Sequence, residues 1–271
     1  MTTDTYRWEH GASTDPVLLC LHGIGSCADA FLPQQPLAAR SRRRIVAWDA
    51  PGYRHSADPP AAPGIDGWAD AAAGLLAAVG KTDDGGADGR AEARADVLGV
   101  SWGGVIATRL ALRHPGLVRS LILADSSVGA GTDPATAEAM RTRGAVAMAD
   151  GIETFARDRS PLLVNAAAPP DLVEEVARLM SDSIRLAPYQ WAADSMADTD
   201  HRPDLASIGC PTLVIVGDED VVTGPRAAQA LADGIPDARL VTIAAAGHLA
   251  NQERPEAFND AVAAFLASLD R

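Results

Sequence analysis

The sequence predicts an α/β domain in which a mostly parallel central sheet is flanked by helices and interrupted by an inserted helical cap. Three observations carry this expectation. Short apolar, β-branched runs alternate with longer alanine-rich segments of helical period, the pattern of a parallel sheet covered on both faces. One stretch, residues 127–206, lies between two such runs and is too long for a plain connection. The full length of 271 residues suits one large domain with an insertion.

The elements follow in order. Strands are expected at 17–21 (Val17-Leu18-Leu19-Cys20-Leu21) and 45–48, then a helix over 66–79. Residues 81–90, KTDDGGADGR, read as a Gly/Asp-rich surface loop. A strand at 96–100 runs into a helix over 102–114, and a strand at 118–124 closes the first part of the core, assigned to 1–126. The segment 127–206 has helical periodicity broken at Pro134, Pro161, Pro169, Pro170 and Pro188. It is expected to cap the carboxyl edge of the sheet, where ligands of α/β proteins bind. The second part of the core, 207–271, supplies strands at 212–216 and 239–243 and helices over 225–232 and 255–269. Pro225 and Pro255 suit a first helical turn, where a missing N–H costs nothing.

Composition narrows the function. Hydrophobic residues make up 47% of the chain, enough for a sizeable core. With 36 acidic against 23 basic side chains the net charge is −13, which argues against nucleic acid and anionic membranes as partners. An anionic substrate would need a local arginine to oppose that global field. No apolar run approaches the ~18 residues of a membrane span. Residues 1–10 lack the basic start and apolar core of a signal peptide, so a cytoplasmic location is expected. Cys20, Cys27 and Cys210 have no metal-ligand spacing and read as reduced, structural thiols, and no metal is expected. A homo-oligomer is left open.

The chemistry centres on Gly99-Val100-Ser101-Trp102-Gly103, a G-x-S-x-G pattern set between a strand and a helix. That context suits a nucleophile on a strained turn, with small neighbours that let strand and helix approach closely. Serine needs a base, and among six histidines His248 stands out, in Ala246-Gly247-His248-Leu249 after the last strand. His10 and His201 lie in polar segments and read as solvent-exposed, His114 as a helix C-cap and His22 as a loop brace; His55 has no assigned role. The orienting acid is expected at Asp220, in Gly217-Asp218-Glu219-Asp220, with Asp125 as a second candidate. Backbone N–H groups of Trp102 and of Ile24, in Leu21-His22-Gly23-Ile24-Gly25, are expected to bind an oxyanion.

With these elements in place, the chain resembles the α/β-hydrolase superfamily over nearly its full length. LHGIGS, WDAPGY, GVSWGG, GDED and AGHLANQERPEAFN stand in the expected order and spacing. Residues 246–251, 255–259 and 205–214 resemble the 3-oxoadipate enol-lactonase group and its carboxylesterase neighbours. The resemblance implies an α/β-hydrolase fold and a serine esterase or lactonase that needs no cofactor. It would cleave a small-molecule carboxylic ester or lactone through an acyl-enzyme on Ser101. Three alternatives stand beside it. One is hydrolysis of a carbon–carbon bond in ring-cleavage diketones, although members of that group often carry tryptophan where Leu249 stands. Another is a cofactor-free haloperoxidase or perhydrolase, and the third is a small-molecule receptor on the same fold.

Two departures bear on the substrate. In Asp49-Ala50-Pro51-Gly52-Tyr53-Arg54-His55-Ser56, Arg54 replaces an expected glycine and reads either as a carboxylate ligand or as a solvated loop cation. Trp102 stands where many relatives have methionine, and its indole is expected to fill the acyl pocket and stack on a flat substrate. Substrate contacts are accordingly expected at Arg54, Trp191 and Leu249. Within the cap, Tyr189, Met180, Met196, Phe155 and Leu162 are apolar candidates, and Arg141, Arg143, Arg157, Arg159 and Arg185 are cationic ones.

Overall fold

A computed structural model describes residues 4–79 and 94–270; the loop read at 81–90 lies outside the described residues. Seven strands form one sheet: β1 (Arg7–His10), β2 (Val17–Leu21), β3 (Arg44–Trp48), β4 (Ala95–Val100), β5 (Val118–Ala124), β6 (Thr212–Gly217) and β7 (Ala238–Ile243). Their spatial order is β1-β3-β2-β4-β5-β6-β7, and only β1 runs antiparallel to its neighbour. The six parallel strands are those expected from the apolar runs. β1, with sequence RWEH, escaped notice because it is an edge strand with mostly exposed side chains and no apolar face to signal it.

The continuous apolar runs have a simple cause. Leu19, Leu21, Val46, Val97, Leu121, Leu123 and Val214 face one layer, packing against Trp68, Leu76, Val105 and Leu110. Their sequence neighbours Leu18, Cys20, Ile45, Leu98, Ile122 and Leu213 face the other, against Phe31, Phe258, Val262 and Phe265. A strand buried on both faces has no reason to alternate. Helices Gly64–Val79, Trp102–Arg113 and Gly224–Gly234 cover the first face, and Pro255–Leu269 covers the second.

Between β5 and β6 the chain inserts five α-helices: Pro134–Arg141, Arg143–Asp150, Ile152–Arg159, Pro170–Ser183 and Leu186–Ala197. Local chemistry sets their ends. Asp133 caps the first by accepting the Thr136 N–H at 2.8 Å, and Gly151, at φ 78°, separates the second from the third. Arg185 ties the insertion to the core. Its guanidinium donates to the carbonyls of Gly52 (3.1 Å) and Arg54 (2.9 Å) and pairs with Asp58 at 2.7 Å. Among the described residues no helix is long and apolar enough to cross a membrane.

Candidate active site

The loops after the carboxyl ends of β4, β6 and β7 bring Ser101, Asp220 and His248 together. β4 ends at Val100, and Ser101 follows at φ 54°, ψ −119°, immediately before the helix Trp102–Arg113. This left-handed conformation is strained for a residue with a Cβ, and the surroundings hold it in place. The Ser101 N–H donates to Ala124 O at 2.9 Å, and Ser101 O accepts from the Gly104 N–H and from Ser126 Oγ. The flanking glycines meet a steric demand. A Cβ on Gly99 would collide with the Gly103 backbone, and a Cβ on Gly103 would collide with the Leu21 carbonyl.

His248 and Asp220 complete a chain of hydrogen bonds. His248 Nε2 lies 2.9 Å from Ser101 Oγ, and its Nδ1 lies 3.1 Å and 3.2 Å from the two Asp220 oxygens. Both side chains are buried. The Asp220 carboxylate also accepts from the N–H groups of Val222 (2.8 Å), Thr223 (3.2 Å) and Gly224 (3.1 Å), and from Thr223 Oγ1 (2.7 Å). Burial works to raise its pKa. The hydrogen bond and charge of His248, with help from Thr223 and Gly224, outweigh that and hold it well below the usual carboxylate range. Asp218 and Glu219 are exposed on the same loop.

Asp125, the second candidate acid, is buried and spoken for elsewhere. It accepts from the Gly217 N–H at 2.9 Å and the Ala250 N–H at 3.1 Å, so it ties together the loops that carry Asp220 and His248. Burial pushes its pKa well up, and the neighbouring charge of Asp220 adds to the rise against the two backbone bonds. A residue missed in the sequence plays a similar part. Glu253 accepts from the Gly247 N–H at 2.8 Å and the Asn165 N–H at 2.7 Å, joining the histidine loop to the insertion. Its position five residues beyond His248 was the only available signal.

A cavity of about 630 Å³, its open mouth included, reaches Ser101 and His248. Ile24 and Leu249 line it, as does His22. His22 Nδ1 bonds to Gly23 O at 2.8 Å and Nε2 accepts from the Ala50 N–H at 2.9 Å, so this buried imidazole braces the loop. Burial lowers its pKa, and the bond to Gly23 O and the charge of Asp49 oppose that less strongly. Trp102 occupies the first position of its helix, where the N–H has no acceptor four residues back. Gly23 passes against Ser101, its would-be Cβ 3.3 Å from the serine Cβ.

Several expectations need correction. The Trp102 indole points away from the cavity into the core. It stacks edge-on with Trp68 at 4.8 Å between centroids, and its Nε1 donates to Ser195 Oγ at 3.2 Å. Trp191 also packs against that core and does not line the cavity. Arg54 is a structural cation that donates to Asp29 at 2.6 Å and Cys27 Sγ at 3.0 Å. It holds φ 39° where a glycine was expected. His201 is buried rather than exposed, with Nε2 3.2 Å from Val105 O. His55, exposed, sits 3.0 Å from Asp49.

Of the apolar cap candidates, Met180 lines the cavity, while Tyr189, Phe155 and Met196 pack internally and Leu162 faces outward. Of the cationic ones, Arg143 and Arg159 line it. Among the described residues, no group of three or more His, Cys, Asp or Glu is placed to hold a metal ion.

Comparison with known proteins matches residues 18–261 to the alpha/beta hydrolase family. The pimeloyl-acyl-carrier-protein methyl ester esterase of Aromatoleum aromaticum is 31% identical over 256 residues, covering 89% of this chain and 94% of that protein. The 2-hydroxymuconate semialdehyde hydrolase of Pseudomonas putida is 30% identical over 278 residues, covering 94% and 88%. The enol-lactonase of Burkholderia xenovorans LB400 superposes with a TM-score of 0.83 at 24% identity, covering 98% of this chain and 97% of that one.

Proposed function

Because this chain belongs to the alpha/beta hydrolase family, we propose that it is a serine hydrolase that cleaves a carboxylic ester or lactone through an acyl-enzyme. One observation carries the reading. His248 bridges Ser101 Oγ and the buried Asp220 carboxylate through its two ring nitrogens, at 2.9 Å and 3.1 Å. Ser101 Oγ attacks the carbonyl carbon and passes its proton to His248 Nε2. That proton then leaves on the alcohol oxygen as the ester bond breaks. Water, deprotonated by the same nitrogen, attacks the acyl group, and the released acid leaves serine regenerated. Asp220 holds the proton of Nδ1 in place and stabilises the imidazolium. The N–H groups of Ile24 and Trp102 receive the oxyanion, and Leu249 contacts the substrate.

The test is turnover of p-nitrophenyl esters and small lactones by the wild type and by Ser101→Ala. The variant is expected to lose multiple turnover and keep its melting temperature. Turnover that persists in Ser101→Ala overturns the mechanism. A second reading, hydrolysis of a carbon–carbon bond in a ring-cleavage product, is supported by the name of the Pseudomonas putida relative and uses the same three residues. Activity on dienoate ring-cleavage products with none on esters would favour it.

A further inference from the structure

Two arginines stand in the cavity with no part in the acyl-transfer steps. Arg143 opens the helix Arg143–Asp150, and Arg159 closes the next one, Ile152–Arg159. Gly151, at φ 78°, reverses the chain between them, so the start of one helix and the end of the next meet. Both side chains line the cavity that holds Ser101 and His248.

Their surroundings differ from those of the structural arginines in this protein. Arg43 pairs with Asp96 and Asp270, Arg119 with the same two, and Arg54 with Asp29. Arg185 is satisfied by backbone carbonyls and Asp58. Even the exposed Arg141 and Arg178 have carboxylate partners. Among the described residues, Arg143 and Arg159 have no carboxylate partner. The nearby Tyr189 phenol weakly favours the charged form of Arg143. Burial, and then repulsion from Arg159, pull the Arg143 pKa below its ordinary value, though it remains a cation at neutral pH.

Two like charges on one partly desolvated wall are unfavourable unless something else compensates them. A carboxylate does so directly, since each guanidinium offers a planar pair of donors that matches its two oxygens. The pair also creates a local positive field in a chain of net charge −13, without which an anionic substrate would be repelled.

We propose that Arg143 and Arg159 form a carboxylate subsite, so that the ester or lactone cleaved at Ser101 carries a free carboxylate on its acid portion. The substrate class is then half-esters of dicarboxylic acids and lactones bearing a carboxylate. This inference rests on the hydrolase reading, and its test separates the two.

The Ser101→Ala protein is titrated calorimetrically with succinate, glutarate and adipate, with their neutral diamides, and with inorganic phosphate. The best dicarboxylate is expected to bind about tenfold or more tighter than its diamide, and Arg143→Gln or Arg159→Gln to remove most of that preference. Arg143→Lys should keep part of it, since the charge remains but the fork is lost. With the active protein, the ratio of kcat/KM for p-nitrophenyl hydrogen glutarate over p-nitrophenyl valerate should fall about tenfold or more in Arg143→Gln. Equal affinity for dicarboxylate and diamide overturns the subsite, as does a preference that survives both substitutions. Phosphate bound more tightly than any dicarboxylate overturns its assignment to a carboxylate. Should the wild type turn over no ester while dicarboxylates still bind at the two arginines, the hydrolase reading fails and the subsite stands.

Discussion

Replacing Asp220 by asparagine keeps the size of the side chain and changes what one of its two terminal atoms can do. Oδ1 accepts from the N–H groups of Val222 (2.8 Å) and Thr223 (3.2 Å), and Oδ2 from the Gly224 N–H (3.1 Å) and the Thr223 hydroxyl (2.7 Å). The new NH2 at the first position would oppose two backbone N–H groups that cannot turn away. At the second it opposes only Gly224, because the Thr223 hydroxyl can rotate and accept. The amide therefore settles with its nitrogen at the second position, leaving one buried N–H unsatisfied at about 1–3 kcal/mol. That nitrogen now faces His248 Nδ1, which lay 3.1 Å from Oδ2. It donates to Nδ1 and favours the tautomer whose proton sits on Nε2, where it blocks proton transfer from Ser101. A wrong tautomer in such a triad lowers kcat by about 10⁴, or about 5.5 kcal/mol of transition-state stabilisation. Urea unfolding reads the loss of stability, and initial rates on p-nitrophenyl butyrate read the loss of kcat. Asp125→Asn is the control: its carboxyl bonds Gly217 and Ala250 rather than His248, so stability should fall while kcat stays within about tenfold. The reasoning is refuted if Asp220→Asn keeps kcat within about tenfold of wild type, or if Asp125→Asn shows the larger loss.

Other consequences follow from the same geometry. Gly103→Ala would drive a methyl group into the Leu21 carbonyl, and it should cost about 1–3 kcal/mol or more in urea unfolding; a wild-type midpoint would show that the helix can retreat. Trp102→Met should lower stability and leave the preferred acyl chain length unchanged in an ester series, because the indole sits in the core; a shifted preference would place it at the substrate. The Asp220 pKa is depressed in the folded state, so its stabilisation is complete above the ordinary carboxylate pKa and is lost as pH falls toward the folded value. The stability gap between wild type and Asp220→Asn should therefore shrink as pH falls below about 4, measured by urea melts from about pH 5 downward.

Much of this protein was determined by its sequence alone. Runs such as Val17–Leu21 and Val118–Ala124 could bury both faces only inside a parallel sheet, and the turn Gly99-Val100-Ser101-Trp102-Gly103 needs its glycines for contacts with Leu21 and with its own backbone. Asp220 and His248 were legible because each follows a strand whose carboxyl end fixes where the next residues must lie. Chemistry set by local backbone and strand order can be read along one line of text.

The tertiary structure decided where long side chains point. Trp102 follows Ser101 directly, yet helix rotation sends its indole into the core while its N–H stays at the helix start. Arg54 belongs to a loop near the expected mouth, but Asp29, 25 residues away, claims it. His201 looked solvated in a polar segment and is buried against Val105 O, 96 residues distant. Five arginines of the insertion were equivalent in the sequence, and only the folding of two short helices around Gly151 places Arg143 and Arg159 in the cavity. Such outcomes depend on which partner is nearest in space, and that depends on the packing of the whole chain.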